Sequence, residues 1–296
     1  LTVVVVERGT VVLERMYFGT TDATPWWAGL DLTERNLLGT GVGVGGGFVF
    51  AGEGEAADAE SQWAAQVRID DPSILGTPFG AFLTLQHIDA SEPYRIGGRF
   101  DDGRPQNFAA LGYTRTGGKA GASYDLTPLS RVIGGVRVES VDTNMPDAPT
   151  RITPEGELEN VDLSLEPGRS RVVTLSLGFD RDTRVHPILP WNGTRIAVLA
   201  ELGATWLGGS YDYASALAQF GKWWPIRSRA HVVSLHLTGG LILGDAPLFD
   251  LLFVGDLDKL LTPRELGLVL STTEPLDLLG TSSDEQRYGE IGGVVE

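Results

Sequence analysis

Apolar and polar residues alternate with a period of two along most of the chain. Trp63, Ala65, Val67 and Ile69 alternate with Gln62, Ala64, Gln66, Arg68 and Asp70. Phe79, Ala81, Leu83 and Leu85 alternate with Gly80, Phe82, Thr84 and Gln86. Val132, Val136 and Val138 face away from Ile133, Arg137 and Glu139, and Val173, Leu175, Leu177 and Phe179 from Thr174, Ser176, Gly178, Asp180 and Asp182. Ile196, Val198, Ala200 and Leu202 oppose Arg195, Ala197, Leu199 and Glu201, and Val233, Leu235 and Leu237 oppose Ser234, His236 and Thr238. Successive side chains of a strand point to opposite faces, so each segment predicts a strand with one apolar face and one polar or glycine face. The segments run roughly 9–14 residues, against about 5–6 for an ordinary strand. A tilted strand of that length crosses a bilayer. The pattern predicts twelve strands, near 10–18, 26–35, 42–53, 61–71, 79–89, 110–125, 131–142, 170–183, 194–207, 211–223, 229–243 and 286–296.

A soluble sandwich would alternate in the same way. The connections separate the two architectures. Short turn-like links at 36–41, 71–78, 127–130, 184–193 and 223–228 take turns with mostly longer, acidic links at 54–60, 90–106, 143–169 and 244–285. A membrane barrel sorts its loops this way, with short turns on the periplasmic rim and long loops outside. Trp26, Trp27, Trp191, Trp206, Trp223 and Trp224 fall at predicted strand ends, as an interfacial girdle requires. The expected fold is therefore all-β, an antiparallel transmembrane β-barrel.

Composition narrows the function. Apolar residues make up 42% of the chain, yet no run approaches the roughly 18 consecutive apolar residues of a membrane helix. The net charge is −16, with 23 basic residues against 39 acids, which argues against a nucleic-acid partner. The chain has no cysteine, so disulfides, thiolate catalysis and cysteine zinc sites are out. It starts at Leu1 and stops at "GGVVE", each inside an apolar run, and reads as a piece of a longer protein.

The most conspicuous chemistry candidate is "GFDRDTRVHPILPWNGTR", residues 178–195. Asp180, Asp182 and His186 have the residue types of a divalent-metal site. Arg181, Arg184 and Arg195 flank the aspartates, so an ion pair at a strand rim is the more economical expectation. No metal, cofactor or catalytic residue is expected. A serine hydrolase would need a nucleophile elbow, and G-x-S-x-G does not occur. "GVGVGGGF" lacks the Lys-Ser/Thr of a phosphate loop and reads as a strand with a bare face. "NGT" at 192–194 is turn chemistry rather than a glycosylation site.

Four stretches then point to a family: Glu7–Arg8 after a valine strand, "LTERNLLGTG" (32–41), the 178–195 stretch, and "FVGDLDKLLTPRELGL" (253–268). In order and spacing these resemble the barrel of outer-membrane assembly factors of the BamA/TamA type. That resemblance implies an early turn motif at Asn36, Leu38, Gly39 and Gly41. It implies a periplasmic-turn motif at Asp180, Arg181, Asp182, Pro190, Gly193 and Arg195. It makes residues 1–8 the end of a POTRA domain and 9–296 the barrel, with about twelve strands of the sixteen with which the family closes. It places Arg264 in the lumen, paired with Glu290 or Glu296. "TPRELGL" departs from the family's V-R-G-F/Y at this loop, and "VVLERMYFG" is not the glycine-rich first strand expected at a lateral seam. The implied partners are unfolded outer-membrane proteins, accessory lipoproteins and the lipid bilayer, and the implied location is the bacterial outer membrane. A two-partner-type secretion pore, a barrel fused to a periplasmic enzyme such as a patatin-like lipase, and a passive porin are the rival expectations.

Overall fold

Residues 10–19, 26–53, 60–98, 105–145, 149–153, 155–186, 189–254, 277–278, 287–289 and 291–295 are described by the structure, a computed structural model. Twelve strands form one antiparallel sheet in which each strand lies beside its neighbours in chain order. They are β1 (Val11–Gly19), β2 (Trp27–Glu34), β3 (Gly43–Ala51), β4 (Gln62–Asp71), β5 (Phe79–Arg95) and β6 (Phe108–Thr127). They continue as β7 (Ser130–Asn144), β8 (Gly168–Asp182), β9 (Gly193–Gly203), β10 (Tyr213–Pro225), β11 (Val232–Gly244) and β12 (Ile291–Val295).

The alternation predicts the first eleven strands closely. β5 and β6 outrun the predicted 79–89 and 110–125, because they pair with each other as far as Arg95 and Phe108. Mutual hydrogen bonds carry them beyond the stripe of outward apolar residues. The predicted last strand divides: Arg287–Gly289 pairs with Leu252–Val254, and only Ile291–Val295 joins β11.

Register fixes the two faces. Phe48, Val67, Leu85, Val138, Leu177, Val198 and Leu241 point outward and are exposed. Gln66, Gln86, Arg115, Arg137, Glu139, Thr174 and Glu201 lie on the other face and are buried. That is the inverse of a water-soluble protein. Apolar side chains on the outside and charges within suit a surface bathed in hydrocarbon.

The sheet is curled. Phe249, five residues beyond β11, stacks 6.0 Å from Tyr113 of β6. A flat sheet would hold β6 and β11 about 24 Å apart at roughly 4.8 Å per strand. Curling also gives the interior two unlike halves. Toward the long links, Leu111, Val141, Val172, Tyr213 and Ile242 from five strands close around Leu163, Leu165, Phe249 and Leu252 from two links. Beside them Val49, Ala64, Ile88 and Tyr113 form a second buried group. Toward the short turns the inner face stays half-solvated, at Arg68, Arg131, Asp180 and Arg195 for example.

The tryptophans divide differently from the expected girdle. Trp26, Trp206 and Trp224 are exposed, but Trp27 and Trp223 are buried on the inner face. Sequence position puts all of them at strand ends; parity sends two inward, where Trp223 meets His236 edge-on at 5.0 Å.

The outward face makes a testable demand. Leu177 is 62% exposed. In water, Leu177→Arg would change stability by roughly 0.5 kcal/mol at most. In a bilayer it is expected to cost about 2–4 kcal/mol, measured by urea unfolding from lipid vesicles.

Candidate functional site

The interior half nearer the long links holds a buried ion network. Arg115 projects inward from β6, Arg137 and Glu139 from β7, Glu201 from β9 and Tyr213 from β10. The short segment Leu248–Asp250, after β11, adds Asp250. The Arg137 side chain has no exposed surface. It grips Asp250 with both terminal nitrogens, Nη1 at 3.0 Å and Nη2 at 2.5 Å. Nη2 also donates to Glu201 at 2.7 Å and to the Tyr213 hydroxyl at 2.7 Å. Tyr213 in turn donates to Asp250 at 2.6 Å. Next to this, Arg115 pairs with Glu139 at 2.7 Å, and Gln86 donates to the other oxygen of Glu139 at 3.2 Å. The Arg115 guanidinium lies 3.8 Å over the Phe249 ring.

Two arginines thus face three carboxylates, with Tyr213 and Gln86 adding neutral donors. Buried charges require such partners, since the desolvation cost is otherwise uncompensated. The bidentate Arg137–Asp250 contact ties a link segment to the barrel wall with fixed geometry. Two glycines make the space. A Cβ on Gly117 would meet Glu139 Cγ at 2.9 Å, and one on Gly240 would meet Leu252 at 2.9 Å. The network therefore anchors an internal strap, Ala246–Leu252, across the lumen.

Alternation had placed Arg137, Glu139 and Glu201 on the polar face. It gave no sign that Asp250 or Phe249, in a long link, would meet them. Their signal is weak: an apolar "PLFDLLF" run inside a region otherwise read as loop.

The periplasmic-turn motif lies at the opposite rim, between β8 and β9. Arg195 reaches Asp180 at 2.9 Å. Asp182 does not share that arginine; it accepts from Arg184 Nη2 at 2.6 Å and from the Arg184 backbone N–H at 2.9 Å. Asp182 sits at the strand's last residue with its side chain turned back onto its own loop, so the nearer Arg184 captures it. At this rim, past the apolar band, those hydrogen bonds hold the Asp182 carboxyl below the ordinary aspartate range. A lowered value means the pair contributes at neutral pH and is lost as the carboxylate protonates. His186 accepts from the Leu189 N–H at 3.0 Å. Gly193 has φ 123°, and a Cβ there would meet the Thr183 carbonyl at 2.5 Å. Pro190 is half-buried within the turn, and Arg181 points outward. The residue types of a metal site are thus engaged separately.

The early turn motif is used twice. Asn36 Oδ1 accepts the Gly41 N–H at 2.6 Å, and Thr40 bonds the Leu37 carbonyl at 2.6 Å. "SILGTP" repeats it, with Thr77 on the Ile74 carbonyl at 2.6 Å. Gly39 and Gly76 take positive φ, as do the preceding leucines, Leu38 at 52° and Leu75 at 51°. Arg264, Glu290 and Glu296, and residues 1–8, lie outside the described residues.

The network predicts a sharp asymmetry. Arg137→Met leaves Glu201 and Asp250 buried against each other and is expected to cost about 3–5 kcal/mol. Adding Glu201→Gln and Asp250→Asn should recover much of that. Urea unfolding in vesicles gives the energies, and faster protease cleavage within 245–252 in the single variant reports release of the strap.

Comparison with known proteins agrees with this geometry. Residues 36–258 match the Omp85 superfamily domain. No curated protein matches the sequence. The fold is similar to that in the crystal structure of BamA from Haemophilus ducreyi lacking POTRA domains 1–3, with a TM-score of 0.56 at 13% identity. The match covers 84% of this chain and 45% of that one, so this chain spans less than half of its structural relative. The all-β antiparallel architecture is that of its transmembrane barrel. Curled, apolar outside, charged within and matched over three quarters of its length, the chain belongs to the Omp85 superfamily.

Proposed function

We propose that the chain is the membrane-embedded part of a factor that assembles outer-membrane proteins into the bacterial outer membrane, and that it performs no chemical step. The Omp85 superfamily match over residues 36–258 is the observation that carries this reading. The strap inside the lumen supports it against a passive porin, because Phe249 and Asp250 occupy the space an open channel needs. In the proposed mechanism, an unfolded client pairs its backbone with an edge strand of the sheet, since main-chain hydrogen bonds ignore client side chains. β1 ends the strand order on one side. Pairing in hydrocarbon is strongly favoured, as each unsatisfied peptide group there costs several kcal/mol.

The partners would be unfolded outer-membrane proteins, accessory lipoproteins and the bilayer, with POTRA domains delivering clients from the periplasm. The test is reconstitution of the chain in vesicles, followed by addition of a small, urea-unfolded outer-membrane barrel protein. Folding of the client is expected to accelerate several-fold over empty vesicles and over vesicles holding an unrelated barrel. Equal rates overturn the proposal, and steady ion conductance without acceleration would favour a secretion pore. Within this reading Arg264→Ala should lower the acceleration while the chain stays folded; an unchanged rate removes Arg264 from the mechanism.

A further inference from the structure

The short-turn rim carries uneven charge. Most arginines there have a carboxylate on the same chain. Arg35 pairs with Glu14 at 2.9 Å, Arg131 with Asp125 at 2.5 Å, Arg184 with Asp182 at 2.6 Å and Arg195 with Asp180 at 2.9 Å. In the sector from β8 to β11, four more cations have none among the described residues. Arg181 is exposed and shares the outward face of β8 with Phe179, Leu177 and Leu175. Lys222 faces outward from β10, its Nζ 3.1 Å from the Thr194 hydroxyl and 6.0 Å from the Trp224 ring. Arg227 is exposed in the next turn, and the Arg229 guanidinium sits 4.5 Å over the Trp191 ring. The chain holds no acid between Gln219 and Gly244, although its net charge is −16.

These cations stand where the outward apolar stripe ends. Below Arg181 and Lys222 lie Phe179, Val198 and Leu237, all exposed to the surroundings of the barrel. Trp224 and Ile226, 42% and 66% exposed, lie between them and the turn. Lys and Arg extended from an apolar surface beside tryptophan rings place their charge at the level of lipid headgroups. Arg229 and Trp191 join the 226–231 turn to the β8–β9 turn, so the cations share one continuous surface.

We propose that Arg181, Lys222, Arg227 and Arg229 form a binding surface for anionic phospholipid headgroups in the leaflet at the short-turn rim. The inference rests on the reading of the chain as a membrane barrel. The outward face decides the occupant. A protein partner reaches the turns from water but not the lipid-facing sides of β8 and β10, where Arg181 and Lys222 project. A lipid phosphate meets both. The site gives the barrel a preferred annular lipid in one sector, next to the strands that carry the strap.

The experiment uses the full chain in vesicles of phosphatidylcholine with and without phosphatidylglycerol, reading tryptophan quenching by brominated forms of each lipid. Four cations near the surface predict a preference of at least ~tenfold for phosphatidylglycerol. Combined Arg181→Gln, Lys222→Gln, Arg227→Gln and Arg229→Gln should abolish most of it. Arg169→Gln with Arg171→Gln, at the other rim, should leave it intact. Where the fourfold variant fails to insert, Arg227→Gln with Arg229→Gln alone, confined to the turn, should halve the preference or more. No preference in the parent chain, or preference retained in the variants, overturns the site. So does loss of the preference on adding millimolar inorganic phosphate at constant ionic strength, which marks a free-phosphate site. Failure of the parent chain to insert into either vesicle overturns the membrane reading itself; insertion without preference overturns only the headgroup surface.

Discussion

A guanidinium with no exposed surface must be neutralised by its neighbours, and Arg137 dictates where those neighbours go. Its position on β7 is forced. Val136 and Val138 occupy the outward face, so the intervening residue turns inward. Once there, it takes two carboxylates and a phenol, from β9, β10 and a link beyond β11. Those strands are not adjacent to β7. The contacts exist only because the sheet curls, and they help hold the curl. One ion cluster thus links local alternation to the curvature of the whole sheet.

Lipid contact outside and charge inside are two consequences of the same cost. A charge facing hydrocarbon costs several kcal/mol, so polar residues of each strand collect in the lumen. Inside, each charge must meet an opposite one, because an unpaired buried charge leaves its desolvation cost uncompensated. The cluster draws on Asp250 from a link because Glu139 lies closer to Arg115, at 2.7 Å, than to Arg137, at 3.8 Å, which leaves Glu201 as the one close wall carboxylate on Arg137. Glycines at 117 and 240 admit the bulky members. Strap, network and bare positions on the walls form one packing solution.

Much of this was legible in the sequence, for a physical reason. Period-two alternation is a local property, so strand positions from Val11 to Gly244 follow from it, and faces too where it is clean, as along 62–70, 132–139, 173–182 and 195–202. The turns were legible too, since Gly39, Gly41 and Gly193 reach the positive φ that other residues rarely adopt, and the Asn36 side chain closes its turn onto the Gly41 N–H. Long-range partners were not. Asp182 took the adjacent Arg184 rather than Arg195 across the turn, a choice set by side-chain reach. Phe249 and Asp250 sit in a link with no periodicity, and only curvature brings them to β6 and β7. Tryptophans at strand ends looked alike until parity sent Trp27 and Trp223 inward. Pattern assigns a residue to a face; which residue it meets across a curled sheet depends on shape, which no window of sequence contains.

The unequal halves of the interior bear on how anything passes through it. From the short-turn side an entering group meets a half-solvated wall with both signs of charge, at Arg68, Asp180 and Arg195. From the other side it meets a packed apolar layer and the strap. Opening therefore means displacing Phe249 and Asp250 together, since the ring lies under Arg115 and the carboxylate under Arg137. Breaking a buried pair without replacement costs about 3–5 kcal/mol, an open fraction on the order of 10⁻² to 10⁻⁴. Water entering behind the strap would solvate Asp250 and lower that cost, and Arg137 would keep Glu201 of β9 at 2.7 Å. Displacing the strap thus removes one of the carboxylates on Arg137 and the ring under Arg115, while Glu201 and Glu139 stay on the wall as the counter-charges of the two arginines.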